Sequence, residues 1–592
     1  MGSLGAKNVF DTLPAAFPHA TVPEDVNVED AADWVISRLE HLDTDLLRDD
    51  AIWRDSFALT GTLRTFYSNR TITEVWKILT ASHGARDFRV IPQTPRVMRL
   101  AEDNQWVEAR FEFTTTNPAT AASGIMTLVP VGDGTWKIWV LRTILEQLAG
   151  AGNVDALEPG PNRTKQDITD FDAVVIGGSG AGLATGGRLQ ALGGVNYVII
   201  EKNAHIGDAW SVRYSSARFH TIREYSHLPF ERTFGPEHEE YLGKDAVAEA
   251  HRKWAEKYGV VSCPLSTKVE SGIWNAEKRL YTLKISRNGE NSEIRTRHVV
   301  MATGAGSETP KIPLIADKEL YKGLVLHSVS YKDAKAWKGL SGVVVGSANT
   351  AHDVVDDMYE AGMKSVTMVQ RSRTYVLPVE YIDVPYKMVY NERIPTEISD
   401  RMFMSNAIAV SRLMTSHLFT AKAKAQPERW AALTRAGFNV DPYGDIAEAV
   451  NIRLGGHYID VGTSAKISKG LIKVKSDSPA VRYYEKGLVF ADGTQIEADV
   501  IIFATGFVGN LKQHAAEIFG QEVAQRAGDT WGLDSEGEVL GAYKPTDQRG
   551  LFFLGGGLGY ARYYSRYIAL SIKADVAGTP LPIYQKHKFV PA

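Results

Sequence analysis

Of 592 residues, 44% are hydrophobic and 23% charged, with a formal net charge of −4; at roughly 150 residues each there is room for three or four domains, and nothing electrostatic calls for nucleic acid or an anionic membrane as partner. A single cysteine, Cys263, excludes an intrachain disulfide, a CxxC redox pair and a thiolate metal cluster, so no metal site is expected. Nowhere do about eighteen apolar residues run together, which excludes a membrane-spanning helix.

The first residues, MGSLGAKNVF, lack a basic segment leading into an apolar run, so no secretory leader is expected and the expected location is cytoplasmic. Residues 1–152 hold no glycine-rich phosphate loop. They open on EDAADWVISRLEHLDTDLL, where Ala31, Trp34, Val35, Leu39, Leu42 and Leu46 repeat at helical spacing. In QWVEARFEFTTT, Trp106, Glu108, Arg110 and Glu112 alternate with Val107, Ala109, Phe111 and Phe113, the pattern of a strand. GIMTLVPV, the turn at 132–134 and TWKIWVLRT then read as a hairpin. A helix followed by a meander of long strands predicts a curved sheet wrapped over helices. Arg54 and Asp55 read as a surface pair. Residues 153–170 are polar, contain two prolines and show no periodicity, and read as a linker.

From Phe171 the pattern changes. FDAVVIGGSGAGLATGGRLQALGGVNYVIIEK is a buried strand, a glycine turn, a helix and a second buried strand. GVVVGSANTAHDVVDDMYEAGMKSVTMVQR repeats that order 169 residues later (346 − 177). The expectation is an α/β fold with two parallel-sheet, Rossmann-like dinucleotide modules. Cys263, in VVSCPL between them, reads as an inert residue of a buried strand.

A dinucleotide site needs a tight turn after a strand, close backbone approach to the pyrophosphate, and a helix whose first N–H groups point at it. Gly177 ends the first strand and Gly182 holds the third glycine position; Ser179, flanked by Gly178 and Gly180, replaces the middle glycine. Glu201 follows 24 residues after Gly177 (201 − 177), where a carboxylate accepts both ribose hydroxyls and repels a 2′-phosphate. This site suits FAD or NAD rather than NADP. In the second module Gly346, Ala348 and Ala351 hold the three positions, with Ser347, Asn349 and Thr350 between and after them. Its second strand ends in Arg371, 25 residues on (371 − 346), with Arg373 nearby. An arginine fork there pairs with a 2′-phosphate, which favours NADPH; the bland alternative is a solvated arginine pair at a strand end.

Between the modules lies YKGLVLHSVSY, from Tyr321 to Tyr331. It resembles the Phe-x-Gly-x-x-x-His-x-x-x-(Tyr/Phe) fingerprint of class B flavin-dependent monooxygenases, with Tyr321 in the leading position and Gly323, His327 and Tyr331 on the motif. The two Ala-Thr-Gly segments, with Thr303 and Gly304 in one and Thr505 and Gly506 in the other, resemble the family's paired returns to the FAD domain. IGDAW, with Gly207, Asp208 and Trp210, resembles the turn after the ribose-binding acid, which here is Glu201 followed by Lys202. GLFFLGGGLGYARYYSRYIALSIKAD resembles the strand and helix that close over the flavin. The similarity runs from about Phe171 to Gly578 and is to the flavin-containing monooxygenases, including the YUCCA-type enzymes, and more distantly to Baeyer–Villiger enzymes. The N-terminal segment, with WRDSFALTGTLRTF, resembles an NTF2-like cone domain.

The resemblance implies FAD and NADPH as cofactors, a C4a-(hydro)peroxyflavin formed with O₂, and transfer of one oxygen atom to a small organic substrate by N- or S-oxygenation or oxidative decarboxylation. It implies an NTF2-like α+β domain at 1–152, a linker at 153–170, FAD-binding parts at 171–335 and 496–592, and an NADPH domain with an insertion at 336–495. No nucleic acid is expected, and a homodimer is left open. The candidate catalytic residues are His327, Asn349 and His220. His327 reads as a linker residue coupling domain motion or as a structural histidine. Asn349 reads as a nucleotide or backbone contact. His220 falls roughly where the family carries an asparagine near the flavin, a departure that weakens transfer of that role. In RLGGHYIDVG, with Arg453, His457, Tyr458 and Asp460, the expectation is packing on the FAD domain, with substrate contact as the alternative. Tyr560, Tyr563, Tyr564 and Tyr567 of the closing helix line a pocket or pack in the core. The alternatives are a Baeyer–Villiger enzyme using Arg453 or Arg562 as its cation, and a flavin-binding sensor with the N-terminal domain as receptor. The final residues, KFVPA, hold no prenylation or peroxisomal signal.

Overall fold

The computed structural model describes residues 8–132, 134–161, 169–260, 264–304 and 309–588. Cys263, the middle of the turn at 132–134 and much of the expected linker lie outside the described residues.

The N-terminal unit is a seven-stranded sheet built on three long antiparallel strands, Asn104–Thr116, Ala119–Val131 and Thr135–Leu148. The alternation in the first of them sorts its two faces. Val107, Ala109, Phe111 and Phe113 share a core with Val35 and Leu39 of the helix Val28–Leu39 and with Val75 and Trp76 of the helix Asn69–His83. Trp106 points the other way and joins Trp139, Ala407 and Val410, so the helix Ile408–Lys424 covers that face. The first helix stops at Leu39, short of the apolar run that continues to Leu46. The Asp43 carboxylate accepts from the N–H groups of Asp45 and Leu46 and starts a separate single turn, Thr44–Leu46.

Arg54 and Asp55 are not a surface pair. Both are buried on the strand Leu47–Ser56 and face different partners. Asp55 accepts from the Leu59 and Thr60 N–H groups and the Thr60 and Thr143 hydroxyls, while Arg54 reaches Glu538.

The remainder is α/β, with two parallel-sheet modules. In the first, Asp170–Ile176 lies between Tyr197–Ile200 and the end of Glu290–Met301, and Leu551–Phe553 returns late in the chain to pair with Met301 and its neighbours. The second sheet runs in the order Leu324–His327, Val500–Phe503, Ser341–Val345, Ser365–Val369, Lys473–Lys475. Four helices between Val379 and Arg435 are inserted after its third strand in chain order. The closing helix Leu558–Val576 packs along Gly180–Leu192.

A buried ion network ties these parts together. Asp155, inside the expected linker, accepts from Arg188, Arg401 and Arg566, and Glu146 of the N-terminal sheet accepts from Arg401 and Arg566. Residues from four segments remote in sequence thus satisfy one another's charge.

Candidate active site

The strand Asp170–Ile176 runs into Gly177, whose φ of +111° is a conformation glycine takes freely and L side chains do not. A Cβ on Gly177 would lie 2.5 Å from the Ala302 carbonyl oxygen, and one on Gly182 would lie 1.7 Å from the Gly177 carbonyl oxygen. Ala302 opens the first Ala-Thr-Gly segment; its N–H donates to Ile176 at 2.9 Å while the Gly177 N–H donates to Ile200 at 2.8 Å. The second turn repeats this bond for bond. Gly346 has φ +133°, and a Cβ there would lie 2.4 Å from the Ala504 carbonyl oxygen. The Ala504 N–H donates to Val345 at 2.8 Å and the Gly346 N–H to Val369 at 2.9 Å. In both modules the helix that follows, Gly180–Leu192 or Asn349–Glu360, begins without a side-chain cap. Its first N–H groups are therefore free to meet phosphate oxygens.

Around the first turn the carboxylate of Glu201 accepts from the Gly178 N–H and the Asn203 N–H, each at 2.7 Å, which fixes it beside the glycines with lone pairs to spare. Ser179 stands at the helix start and Lys202 is exposed. Gly207 has φ +91° and its Cα faces the Ala248 carbonyl too closely for a side chain. Asp208 holds the turn itself, accepting from the His205 N–H and the Ser211 hydroxyl, and Trp210 stands edge-on to Phe219. Thr303 meets His514 at 3.3 Å. Gly180 touches Leu558 at the head of the closing helix.

One residue here escaped the motif reading. His251, on the helix Lys244–Tyr258, is fully buried next to Gly180, and neither ring nitrogen has a partner. Burial holds it down at about 4, so it is neutral at pH 7 and has one donor and one acceptor to offer. Orphaned polar atoms beside a cradle that no side chain can enter fit a bound nucleotide.

At the second turn Ser347 shares a hydrogen bond with Thr374 at 2.8 Å, and the Asn349 side-chain oxygen accepts from the Ile459 N–H at 2.8 Å. Arg371 and Arg373 are both exposed just beyond the strand Ser365–Val369, with Arg373 donating to the Val440 carbonyl. RLGGHYIDVG packs chiefly on this module: Tyr458 stacks on His352 at 3.5 Å, and Ile459 meets Asn349. The pattern of a turn and strand was sound, but nothing in it identified the neighbour.

His220 crosses to the second module. Its Nε2 lies 3.6 Å from Asp353, outside hydrogen-bond range, and Tyr214 donates to the same carboxylate at 2.7 Å and also meets Thr350. His220, His352 and His457 each keep a buried ring nitrogen without a partner at this junction. Burial lowers His352 and His457 to about 4.

The fingerprint residues sit between the modules. The Tyr321 hydroxyl donates to the Ala498 carbonyl, and Gly323 is squeezed between the Tyr321 ring and the Asp499 carbonyl, leaving no room for a Cβ. Tyr331 donates to Asp357 of the second module's helix. His327 ends the edge strand, accepts from the Val329 N–H at Nδ1 and stands edge-on to Phe507, next to Gly506. Burial lowers its pKa. The two returns run side by side, with Lys311 N–H donating to Gly506, Val508 N–H to Thr309, and the Thr505 hydroxyl to the Lys311 carbonyl. His327 thus touches one of the two returns between the modules.

The pyridine nucleotide-disulphide oxidoreductase family matches residues 174–425. Indole-3-pyruvate monooxygenase YUCCA4 of Oryza sativa subsp. japonica is 27% identical over 383 residues, covering 61% of this chain and 80% of its own. The FAD-containing monooxygenase EthA of Mycolicibacterium smegmatis is 24% identical over 359 residues, 57% of this chain and 69% of its own. The chain is thus similar to flavin-dependent monooxygenases over about three fifths of its length. Among solved structures, a flavin-containing monooxygenase from Stenotrophomonas maltophilia aligns over 69% of this chain and 99% of its own at 17% identity and a TM-score of 0.45. Cyclohexanone monooxygenase from Rhodococcus sp. Phi1 bound to NADP+ aligns over 70% and 85% at 16% identity and a TM-score of 0.48. No helix among the described residues is long and apolar enough to cross a membrane.

Proposed function

We propose that the chain holds FAD at the Gly177 turn and NADPH at the Gly346 turn and, with O₂, places one oxygen atom on a small organic substrate by N- or S-oxygenation or oxidative decarboxylation. The single observation behind this reading is the repeated geometry: two glycines at positive φ, each wedged under the alanine of an Ala-Thr-Gly return and each opening an uncapped helix. Likeness to the FAD-containing and indole-3-pyruvate monooxygenases supports it.

Glu201 holds the ribose of the first nucleotide and the helix Gly180–Leu192 meets its pyrophosphate. Arg371, aided by Arg373, meets the 2′-phosphate of the second nucleotide. When bound, the flavin supplies two-electron reduction by the nicotinamide and reaction with O₂. The chain's own part is to orient the two nucleotides, to exclude water with Leu558 and the tyrosines behind it, and to let the paired returns bend beside His327. Asn349 positions the second turn against the strand His457–Asp460. We assign residues 1–152 to an NTF2-like domain, 171–335 and 496–592 to the FAD side and 336–495 to the NADPH side, corrected at both boundaries because Leu324–His327 and Val500–Phe503 pair within the second sheet and go with the NADPH side.

A Baeyer–Villiger reaction needs a cation at the substrate. Arg562 is committed to a buried pair with Asp400 at 2.5 Å and to the carbonyls of Tyr225 and His227, and Arg453 lies 3.7 Å from Glu448 with its side chain half exposed. Neither arrangement favours that reading. Purified protein should be yellow, oxidise NADPH under air and release hydrogen peroxide when substrate is absent. A colourless protein that takes up no FAD overturns the proposal and leaves the binding-module alternative.

A further inference from the structure

We propose that the N-terminal domain is a working part of the oxygenation chamber, and that Arg54 is the positioning residue through which it acts. The inference rests on the flavin-dependent reading above and extends it to a domain that no glycine turn or fingerprint motif reaches.

Arg54 leaves the N-terminal strand Leu47–Ser56 and enters the space between three other segments. Its guanidinium makes a bidentate pair with Glu538 at 2.7 and 2.8 Å, both side chains 1% exposed. It donates also to the carbonyls of Met404 and Asn406, in the insertion of the second module, and to the Tyr564 hydroxyl at 3.3 Å. One side chain therefore joins the N-terminal sheet, the inserted helices and the closing helix. Only a planar five-donor fork can satisfy partners in so many directions; a lysine cannot. Burial works to raise the Glu538 carboxyl, but Arg54 outweighs it and holds it below its ordinary value. Thr65 of the neighbouring N-terminal strand donates to the same carboxylate at 2.6 Å.

What Arg54 holds is a stack of rings. Tyr564 lies face to face with Tyr543 at 4.2 Å and 8°, and Tyr560 sits beside both, 6.2 Å from Tyr543 and 6.0 Å from Tyr564. The Tyr543 hydroxyl donates to the Gly555 carbonyl, and a Cβ on Gly556 would lie 3.1 Å from that hydroxyl and 3.6 Å from Tyr560. The rings are therefore built against the glycine turn at 555–557, exposed at Gly556 and Gly557, and the next residue, Leu558, rests on Gly180 of the first nucleotide turn. Three steps of direct contact lead from an N-terminal strand to the flavin side of the molecule. A second support runs parallel: Phe57 stacks on Tyr567 of the same helix at 4.9 Å and 6°.

Rings at the head of the closing helix exclude water from whatever lies behind them, and they quench a flavin that they approach. The test compares wild type with Arg54→Lys and Tyr564→Phe, the second removing one hydroxyl and leaving the stack's shape intact. Flavin content, flavin fluorescence, melting temperature, NADPH KM and the rate of substrate-free NADPH oxidation to hydrogen peroxide are measured on each. The expected result is unchanged flavin content and NADPH KM, brighter flavin fluorescence, and peroxide release increased by about tenfold, the low end of what one charge-assisted hydrogen bond is worth. A lowered melting temperature with fluorescence and peroxide release unchanged makes Arg54 a structural clamp only and overturns the proposal. Should Arg54→Lys fail to fold, Tyr564→Phe decides alone by the same two readouts. A wild-type protein that binds no flavin is a different failure, that of the underlying reading.

Discussion

Replacing Gly177 or Gly346 by alanine separates the two nucleotide sites, because each glycine is required for the same reason in a different module. At Gly346 the φ of +133° alone strains any L residue, and the added Cβ would lie 2.4 Å from the Ala504 carbonyl oxygen. That oxygen belongs to a backbone pinned by the Ala504 N–H bond to Val345, so it cannot swing away as a side chain would. Strain at a forbidden φ costs on the order of 1–3 kcal/mol, and relieving the clash requires the turn or the return to move, for about 3 kcal/mol in all. If the cost falls on the nucleotide-bound form, affinity drops roughly 100-fold. Gly346→Ala is therefore expected to keep its flavin and raise the NADPH KM by about that factor. Gly177→Ala, with φ +111° and a Cβ 2.5 Å from the Ala302 carbonyl oxygen, is expected to purify with most of its flavin lost. Absorbance of the released flavin per protein and NADPH kinetics at saturating added FAD check both. Flavin loss in Gly346→Ala with an unchanged NADPH KM would refute the assignment of the two turns.

Arg371→Ala is expected to raise the NADPH KM by roughly 10- to 100-fold, the worth of a charged hydrogen-bond pair, and to leave the NADH KM nearly unchanged; equal changes in steady-state kinetics with the two coenzymes contradict a 2′-phosphate contact. Gly323→Ala places a Cβ 2.2 Å from the Tyr321 hydroxyl and 2.5 Å from the Asp499 carbonyl, and should lower the melting temperature without shifting coenzyme preference. Stability should also decline in acid. His251, His352 and His457 are held by burial at about 4 against an ordinary 6.5. The unfolded chain binds protons on them between those values and the folded chain does not, so stability is complete above about pH 6.5 and falls as pH drops toward 4. Thermal melts across that window check it, and a His457→Gln variant should lose less stability on acidification than wild type.

The two nucleotide modules were legible in the sequence because a strand, a glycine turn, a helix and a charged residue recur within about thirty positions, and backbone geometry leaves few ways to build that. The long N-terminal strands were legible from the alternation of Val107, Ala109, Phe111 and Phe113. What stayed hidden was contact between remote segments. Arg54 and Asp55 looked like a surface pair because both are charged and adjacent; Glu538, the partner that makes burial of Arg54 affordable, lies 484 residues away. Arg562 looked available as a cation until Asp400, 162 residues away, was seen to hold it. His251 falls on no motif, since an orphaned ring is defined by what surrounds it. The helix Asn69–His83 lies in a stretch rich in β-branched residues, TITEVWKIL, and is bounded by Ser68 at its start and by Gly84 in a left-handed conformation at its end.

The central claim is that one oxygen atom from O₂ reaches a substrate through a flavin reduced by NADPH. Its most direct test is incubation of the FAD-loaded protein with NADPH under ¹⁸O₂ across a panel of amines, sulfides, oxo acids and ketones, read by mass spectrometry. The account predicts a single ¹⁸O atom in the product of an amine, a sulfide or an oxo acid, together with NADPH consumption. Flavin binding and NADPH oxidation with ¹⁸O recovered solely in hydrogen peroxide or water from every member of the panel would contradict it.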